Sequence, residues 1–206
     1  WSGPSFDVTI ESCQIFSVND ISSWSSNDWL AFAPNAISVD GDGSRIIGNQ
    51  IRNIRFGISV TGSNVLVSHN RITNFAGDGI RGLGDYGIFE YNIVENGFKI
   101  DDNHDDGFQS WSRGPGGVGT GEVRGVILRG NTFINNRDPA QPLRTTFQGI
   151  GCFDGFFVDW VVENNVVIVD HWHGITLTGA RNSRIVNNTV IDLYPGRPGP
   201  SWVRIS

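Results

Sequence analysis

The sequence has no methionine, only two cysteines among its 206 residues, and no apolar run long enough to cross a bilayer as a helix. Charge is sparse as well: 17% of residues are Asp, Glu, Lys or Arg, with a net formal charge of −6. A protein that tracks nucleic-acid phosphates needs a positive surface, so neither a nucleic-acid nor a membrane partner is expected. Cys13 and Cys152 stand far apart in the repeat described below, which favours two buried free thiols over a disulfide. No signal peptide is legible, and the chain opens at Trp1 already in a structured register, so the leader is silent on compartment.

What is abundant is glycine and asparagine, 27 and 19 residues. Both occupy left-handed and tight-turn positions readily, so many turns and few long helices follow. The length suits one domain over residues 1–206. Neither end carries a recognisable capping segment, so the chain reads as a piece that lacks one or both of its caps.

A unit recurs along that length. Ser63–Ala76 reads S-N-V-L-V-S-H-N-R-I-T-N-F-A, and related copies start near Asp42, Asp85, Glu122, Phe157 and Arg181, with a degenerate one at Val8–Phe16. A second element follows each copy, a glycine and a β-branched or aromatic residue, as in G-I-S-V, G-I-R-G, G-F-Q-S-W, G-I-G-C and G-I-T-L. Its apolar member forms a ladder, Ile37, Ile58, Ile80, Phe108, Ile150, Ile175 and Val203. The two shortest intervals, 21 and 22 residues, set the coil length. The period inside each copy is 2 rather than 3.6, so the solenoid is built of strands. Short strands of this kind bury a face only when stacked. Asn49, Asn70, Asn131, Asn165 and Asn188 read as inward turn residues whose amides bond along the stack, with Tyr91 replacing asparagine in one coil.

The insertions cluster beside one strand stack. Gly97–Asp106, Arg137–Gln148, Asp170–Trp172 and Leu193–Ser201 all precede the glycine-apolar strand, and the glycine-rich Ser112–Glu122 follows it. Loops lengthened on one side build walls around a cleft. Ser17–Ala36, with Trp24, Trp29 and Phe32, is expected to pack over an end or side of the solenoid. The densest charge in the chain, D-D-N-H-D-D at 101–106, falls in one of the walls. A buried strand does not tolerate such density without partners.

These repeats resemble the pectate-lyase-like, right-handed parallel β-helix superfamily over residues 6–205, which implies an all-β, single-stranded right-handed parallel β-helix of about 6–8 coils. H-D-D-G-F-Q-S-W at 104–111 and H-G-I-T-L at 173–177 resemble modules of polysaccharide lyases and mannuronan C5-epimerases. The resemblance implies action on an acidic, uronate-containing polysaccharide outside the cell or at its surface, often with Ca2+ and with no organic cofactor. Asp102-Asn103-His104 is similar to the Asp-x-His element of those enzymes. Their catalytic tyrosine has no counterpart here, because Tyr91 falls on the opposite side of a coil, and their nonapeptide calcium repeats are absent. The superfamily also holds glycoside hydrolases and non-enzymatic surface proteins, so the fold leaves the activity open.

Strand alternation turns Arg81, Gln109, Trp111, Thr176, Thr178 and Arg204 outward, leaves a gap at Gly151, and sets Asp78, Asp106, Gln148 and His173 two positions before the inward ladder. Lyase or epimerase chemistry needs a neutralised carboxylate, a base for the C5 proton and a proton donor. His104, then His173, suit the base, and Asp102 and Asp106 complete the catalytic set. Arg81, Arg144, Gln109, Gln148 and His171 suit carboxylate or hydroxyl binding, with Asp78, Thr176 and Arg204 beside them and Trp111 and Trp172 as stacking platforms. Asp101, Asp102, Asp105 and Asp106 offer oxygen ligands to calcium, or alternatively form a solvated turn. A hydrolase would instead draw on a carboxylate pair from Asp78, Asp102, Asp105 and Asp106. A non-catalytic glycan-binding module is the third reading. His69 reads as a surface histidine, and Arg144 as a loop charge whose ordinary fate is solvation.

Overall fold

The computed structural model describes residues 5–193 and 198–206. Three sheets of seven strands each run the length of the chain, and every neighbouring pair within them is parallel. Sheet 1 begins at Thr9–Glu11 and ends at Arg184–Val186. Sheet 2 runs from Gln14–Phe16 to Thr189–Asp192, and sheet 3 from Ile37–Val39 to Trp202–Ile205. One strand from each sheet makes a coil, so the chain is a parallel β-helix of seven coils.

The apolar ladder is the register of sheet 3. Ile37 pairs with Ile58, Ile58 with Ile80, Ile80 with Phe108, Phe108 with Ile150, Ile150 with Ile175, and Ile175 with Val203. All but Val203 are buried, and they meet the inward residues of sheets 1 and 2 in one continuous core. Its widest section is aromatic: Phe108 packs edge-on against Phe89 at 5.0 Å and Trp160 at 6.3 Å. The Trp160 indole N–H donates to the Val123 carbonyl at 2.9 Å, so the ring brings no unpaired donor into the interior.

Sheets 1 and 2 meet at a two-residue corner. Its first residue is left-handed in every coil: Ser12, Gly48, His69, Tyr91, Gly130, Asn164 and Asn187 have φ between 50° and 65°. Its second residue, from the second coil onward, is an asparagine. In each step the backbone N–H and the side-chain Nδ2 of one asparagine both donate to Oδ1 of the next, at 2.9–3.0 Å. Asn92 belongs to this row, between Asn70 and Asn131. Tyr91 does not replace an asparagine. It takes the left-handed position before it, and its half-exposed ring lies where a side chain on Gly130 would stand. Cys13 holds the asparagine position of the first coil and donates its backbone N–H to Asn49. The first coil lies at the end of the stack, so the Cys13 thiol is exposed rather than buried, while Cys152 is buried. Both are free.

Sheet 3 begins at a glycine for a steric reason. A Cβ on Gly57 would meet the Gly79 carbonyl oxygen at 2.2 Å, and one on Gly149 would meet the Gly174 oxygen at 2.3 Å. Each coil turns inward there at backbone contact distance. The residue before the glycine therefore sits beside the outward residue three positions on, and the same contact recurs: Asp78 with Arg81, Asp106 with Gln109, and His173 with Thr176.

Residues 17–36 pack on the side of the solenoid, as their aromatic content implies. They contain the short helix Ser26–Phe32, started by a reciprocal Ser25–Asp28 capping box. Trp29 is fully buried between Trp24, 5.1 Å away, and Phe98, 4.9 Å away, and Ile21, Ile100 and Leu143 close this satellite core. It holds the 98–101 segment against residues 143–144, where Lys99 N–H donates to the Leu143 carbonyl and Phe98 bridges to Arg144.

The asparagine ladder is expected to be the most sensitive polar feature of the fold. Asn92→Ala strips the acceptor from two buried Asn70 donors and should cost about 2–4 kcal/mol in urea denaturation. Tyr91→Asn, one residue away but exposed, should change stability by less than about 1 kcal/mol.

Candidate functional site

The outer row of sheet 3 carries Arg81, Gln109, Gly151, Thr176 and Arg204 in consecutive register, as alternation predicts. Beside it stand Asp78, Asp106, Gln148 and His173. Asp106 pairs with Gln148 in register, and its N–H donates to Asp78 Oδ1 at 3.1 Å. The walls above are the 99–105 and 144–146 segments with His171. They enclose a pocket of about 320 Å³ lined by Lys99, Asp102, Asn103, His104, Asp105, Arg144, Thr145, Thr146, Gln148 and His171.

The aspartates of the 101–106 turn do not form one cluster. Asp101 pairs with Arg55 at 2.6 Å, at the foot of the wall. Asp102 is exposed in the pocket. Asp105 turns down and accepts from Thr145 Oγ1 at 2.5 Å, and Asp106 accepts from Gln109 Nε2 at 3.0 Å. Among the described residues no three His, Cys, Asp or Glu side chains converge on one point. Calcium takes six to eight oxygens around a common centre, and this dispersed set does not fit it. The solvated-turn alternative fails as well, because Asp105 and Asp106 are buried.

Burial sets the protonation of this floor. It lifts the Asp105 carboxyl to about 6, against the Thr145 hydrogen bond and the Lys99 charge. It holds Asp106 well above the carboxylate range, with the Asp78 and Asp105 charges adding to the effect. Asp78 is raised by burial too, although Arg81 opposes the shift across a 2.5 Å ion pair. Asp106 Oδ1 and Gln148 Oε1 are both buried without a partner, and both face the place where a Cβ on Gly151 would stand, 2.2 and 3.1 Å from it. A proton on Asp106 supplies the donor that two adjacent acceptors lack. Gly151 is thus the gap that admits the Asp106 carboxyl.

Three imidazoles stand over this floor. His171 and His173 are stacked at 5.2 Å, and His104 is close enough to both that its charge would lower their basicity. Burial first, and His173 next, brings His171 down to about 4. Burial and then Arg204 lower His173. The His173 backbone N–H donates to His171 Nδ1 at 3.1 Å, which places the His171 proton on Nε2. His173 Nδ1 meets Thr176 Oγ1 at 2.9 Å, a contact that buries Thr176 although its position is outward. His104 is exposed, and among the described residues its ring has no hydrogen-bond partner.

The remaining expected residues are placed as follows. Arg144 lines the pocket but is tied to Asp170 at 2.7 Å and to the Asn136 carbonyl at 2.8 Å, so it is neither solvated nor a loose substrate clamp. Trp172 is exposed, stacks on Trp202 at 6.4 Å and donates to the Gly199 carbonyl, and Arg204 lies over Trp202 on the last coil. Trp111 is half-buried on the far side of Arg81. His69 lies at the distant corner against Ser68 and Tyr91. Lys99, Asn103, Thr145, Thr146 and Trp202 belong to the site neighbourhood without having been singled out. For the first four only their place in insertions before a sheet 3 strand marked them, and Trp202 opens the last sheet 3 strand.

The architecture and its polar cleft define a parallel β-helix protein with a site on one sheet. The family model of the right handed beta helix region matches residues 35–196, and the chain belongs to that family, which also gives the coil its right-handed sense. No curated protein and no solved structure matches the chain.

The two shifted groups pull stability in opposite directions over one pH window. Asp105 is raised from 3.8 to about 6, so its contribution is full below 3.8 and lost as pH rises to 6. His171 is lowered from 6.5 to about 4, so its contribution is full above 6.5 and lost as pH falls toward 4. Asp105→Asn removes the first effect alone. Its urea-unfolding free energy relative to wild type should therefore rise between pH 4 and pH 6, and a flat difference would contradict the buried, proton-holding carboxyl.

Proposed function

We propose that this chain acts on a uronate-containing polysaccharide by removing the C5 proton, as a β-eliminating lyase or a C5-epimerase. The observation that carries this reading is the convergence of His104, His171 and His173 above two carboxyls whose proton affinity burial raises, Asp105 to about 6 and Asp106 well above the carboxylate range. An acidic floor would repel a polyuronate. A proton held on the buried Asp106 lessens that repulsion, and the exposed Lys99 sets a positive charge in the same pocket.

In this scheme His104 accepts the C5 proton, since its ring is exposed and unengaged. Lys99, whose ammonium donates to the Asn103 carbonyl, lies in the same pocket and stabilises the charge that develops on the substrate carboxylate. Asp105, whose carboxyl is lifted to about 6 in the same pocket, is the candidate donor, to the departing O4 in elimination or to the opposite face of C5 in epimerisation. The neutral His171 presents Nε2–H as a hydrogen-bond donor. Gln109 holds Asp106 and so orients the floor.

One observation favours a second reading. Asp105 lines the pocket with its carboxyl near 6, a suitable general acid for glycoside hydrolysis, and the exposed Asp102 would be its partner carboxylate. Incubation of the purified chain with alginate and with pectate separates the readings. Ultraviolet absorbance of unsaturated ends means lyase, altered uronate composition by NMR means epimerase, and reducing ends without absorbance mean hydrolase. His104→Ala should lower kcat by about 100- to 10,000-fold, the range of a lost general base. Unchanged turnover in that variant would remove His104 as the base, and no chemistry on any polyuronate would leave a binding module.

A further inference from the structure

A second recess lies on the other side of Arg81 from the histidine pocket. It has a volume of about 440 Å³ and is lined by Thr61, Leu83, Trp111 and Arg113. Between the two, Arg81 is held on three sides. Its Nε donates to the buried Asp78 carboxylate at 2.5 Å, its guanidinium carbon lies 3.9 Å from the centre of the Phe56 ring, and the Trp111 ring is 5.5 Å away. Among the described residues its two terminal nitrogens have no acceptor, and the side chain is 23% exposed. An arginine that only neutralised Asp78 would need none of this aromatic support. A guanidinium fixed through Nε, with both Nη groups presented, is a preorganised fork for a planar carboxylate.

We propose that Arg81 and Trp111, with Arg113 at the rim, form a uronate subsite outside the catalytic pocket, in which one sugar stacks on Trp111 and gives its carboxylate to Arg81. This rests on the reading of a uronate substrate and extends it by direction. The walls of the histidine pocket precede the sheet 3 strands, whereas Thr61, Leu83, Trp111 and Arg113 follow them, so a polymer that fills both sites crosses the outer face of sheet 3 past Arg81. Phe56, one coil earlier, occupies the position that Asp78, Asp106, Gln148 and His173 hold in theirs. Its ring there backs Arg81 instead of adding another polar group.

The test is calorimetric titration of the intact chain with hexamers of mannuronate and of galacturonate, and with a carboxyl-reduced neutral hexamer. Arg81→Lys keeps the charge beside Asp78 and loses the fork, and Trp111→Ala loses the platform. Each should weaken binding of the uronate hexamer about tenfold, with thermal melting of both variants confirming that they fold, and the neutral hexamer should not bind. Wild-type-like binding by either folded variant, equal binding of the neutral hexamer, or no binding of either uronate hexamer by wild type would overturn the subsite. Tyr91→Asn, at the exposed corner away from the cleft, should bind as wild type does. Binding that depends on Arg81 and Trp111 in a chain with no turnover would remove the catalytic reading and keep the subsite. Turnover that depends on His104 but ignores both variants would do the reverse.

Discussion

The structure depends on one constraint: every coil must stack on the next in register, with no buried polar group left unpaired at the corners. Parallel strands satisfy their own backbones, but a corner that turns inward brings amides into the core. The asparagine row solves this with a side chain that accepts twice from one neighbour and donates to the other and to a sheet 1 carbonyl, such as Asn92 to Val67. A residue of any other shape breaks the chain of bonds at that level. Because the row holds the coils in register, insertions of very different length enter one corner without disturbing the ladder. Phe108 and Ile150 are 42 residues apart in sequence and are still direct partners.

That tolerance is what permits a site. The walls grow from the corner before sheet 3, and the sheet supplies a rigid floor beneath them. Glycine at the start of the five middle sheet 3 strands lets the backbone close in, and in three of them the residue before it meets the outward one three positions later. The recurring pair is polar where the cleft lies, Asp78–Arg81, Asp106–Gln109 and His173–Thr176, while Phe56 marks its edge. Trp29 reaches the site indirectly. It anchors the 98–101 wall from behind, so the helix at Ser26–Phe32 positions Lys99 and Asn103 without touching a ligand.

Electrostatics inside the cleft run against a count of charges. The D-D-N-H-D-D turn reads as the most acidic stretch of the chain, yet burial lifts Asp105 to about 6 and Asp106 well above the carboxylate range, and a third aspartate is neutralised by Arg55. His171 and His173 above are pushed toward their neutral form by the same loss of solvent. Burial therefore moves acids and bases toward the uncharged state together, which keeps a proton donor and a proton acceptor available at one pH.

The sheet 3 ladder was legible to the residue, including its inward and outward rows, because a strand has a period of two and the glycine marks where each one starts. The asparagine row was legible except at its third member. There the pair Tyr91-Asn92 looks like a substitution until the left-handed φ shows which of the two makes the turn. Side-chain direction at the inserted corner was not legible. Whether Asp105 points to solvent or down to Thr145, and whether Arg144 is loose or tied to Asp170, depends on how loops 40 and 26 residues apart fold against each other and against Trp29. Local pattern carries period, spacing and turn chemistry, and these determined the solenoid and the face that bears the site. Desolvation and the meeting of distant insertions exist only in three dimensions, and they decided which carboxyls keep their protons, which histidines converge, and how Arg81 is held.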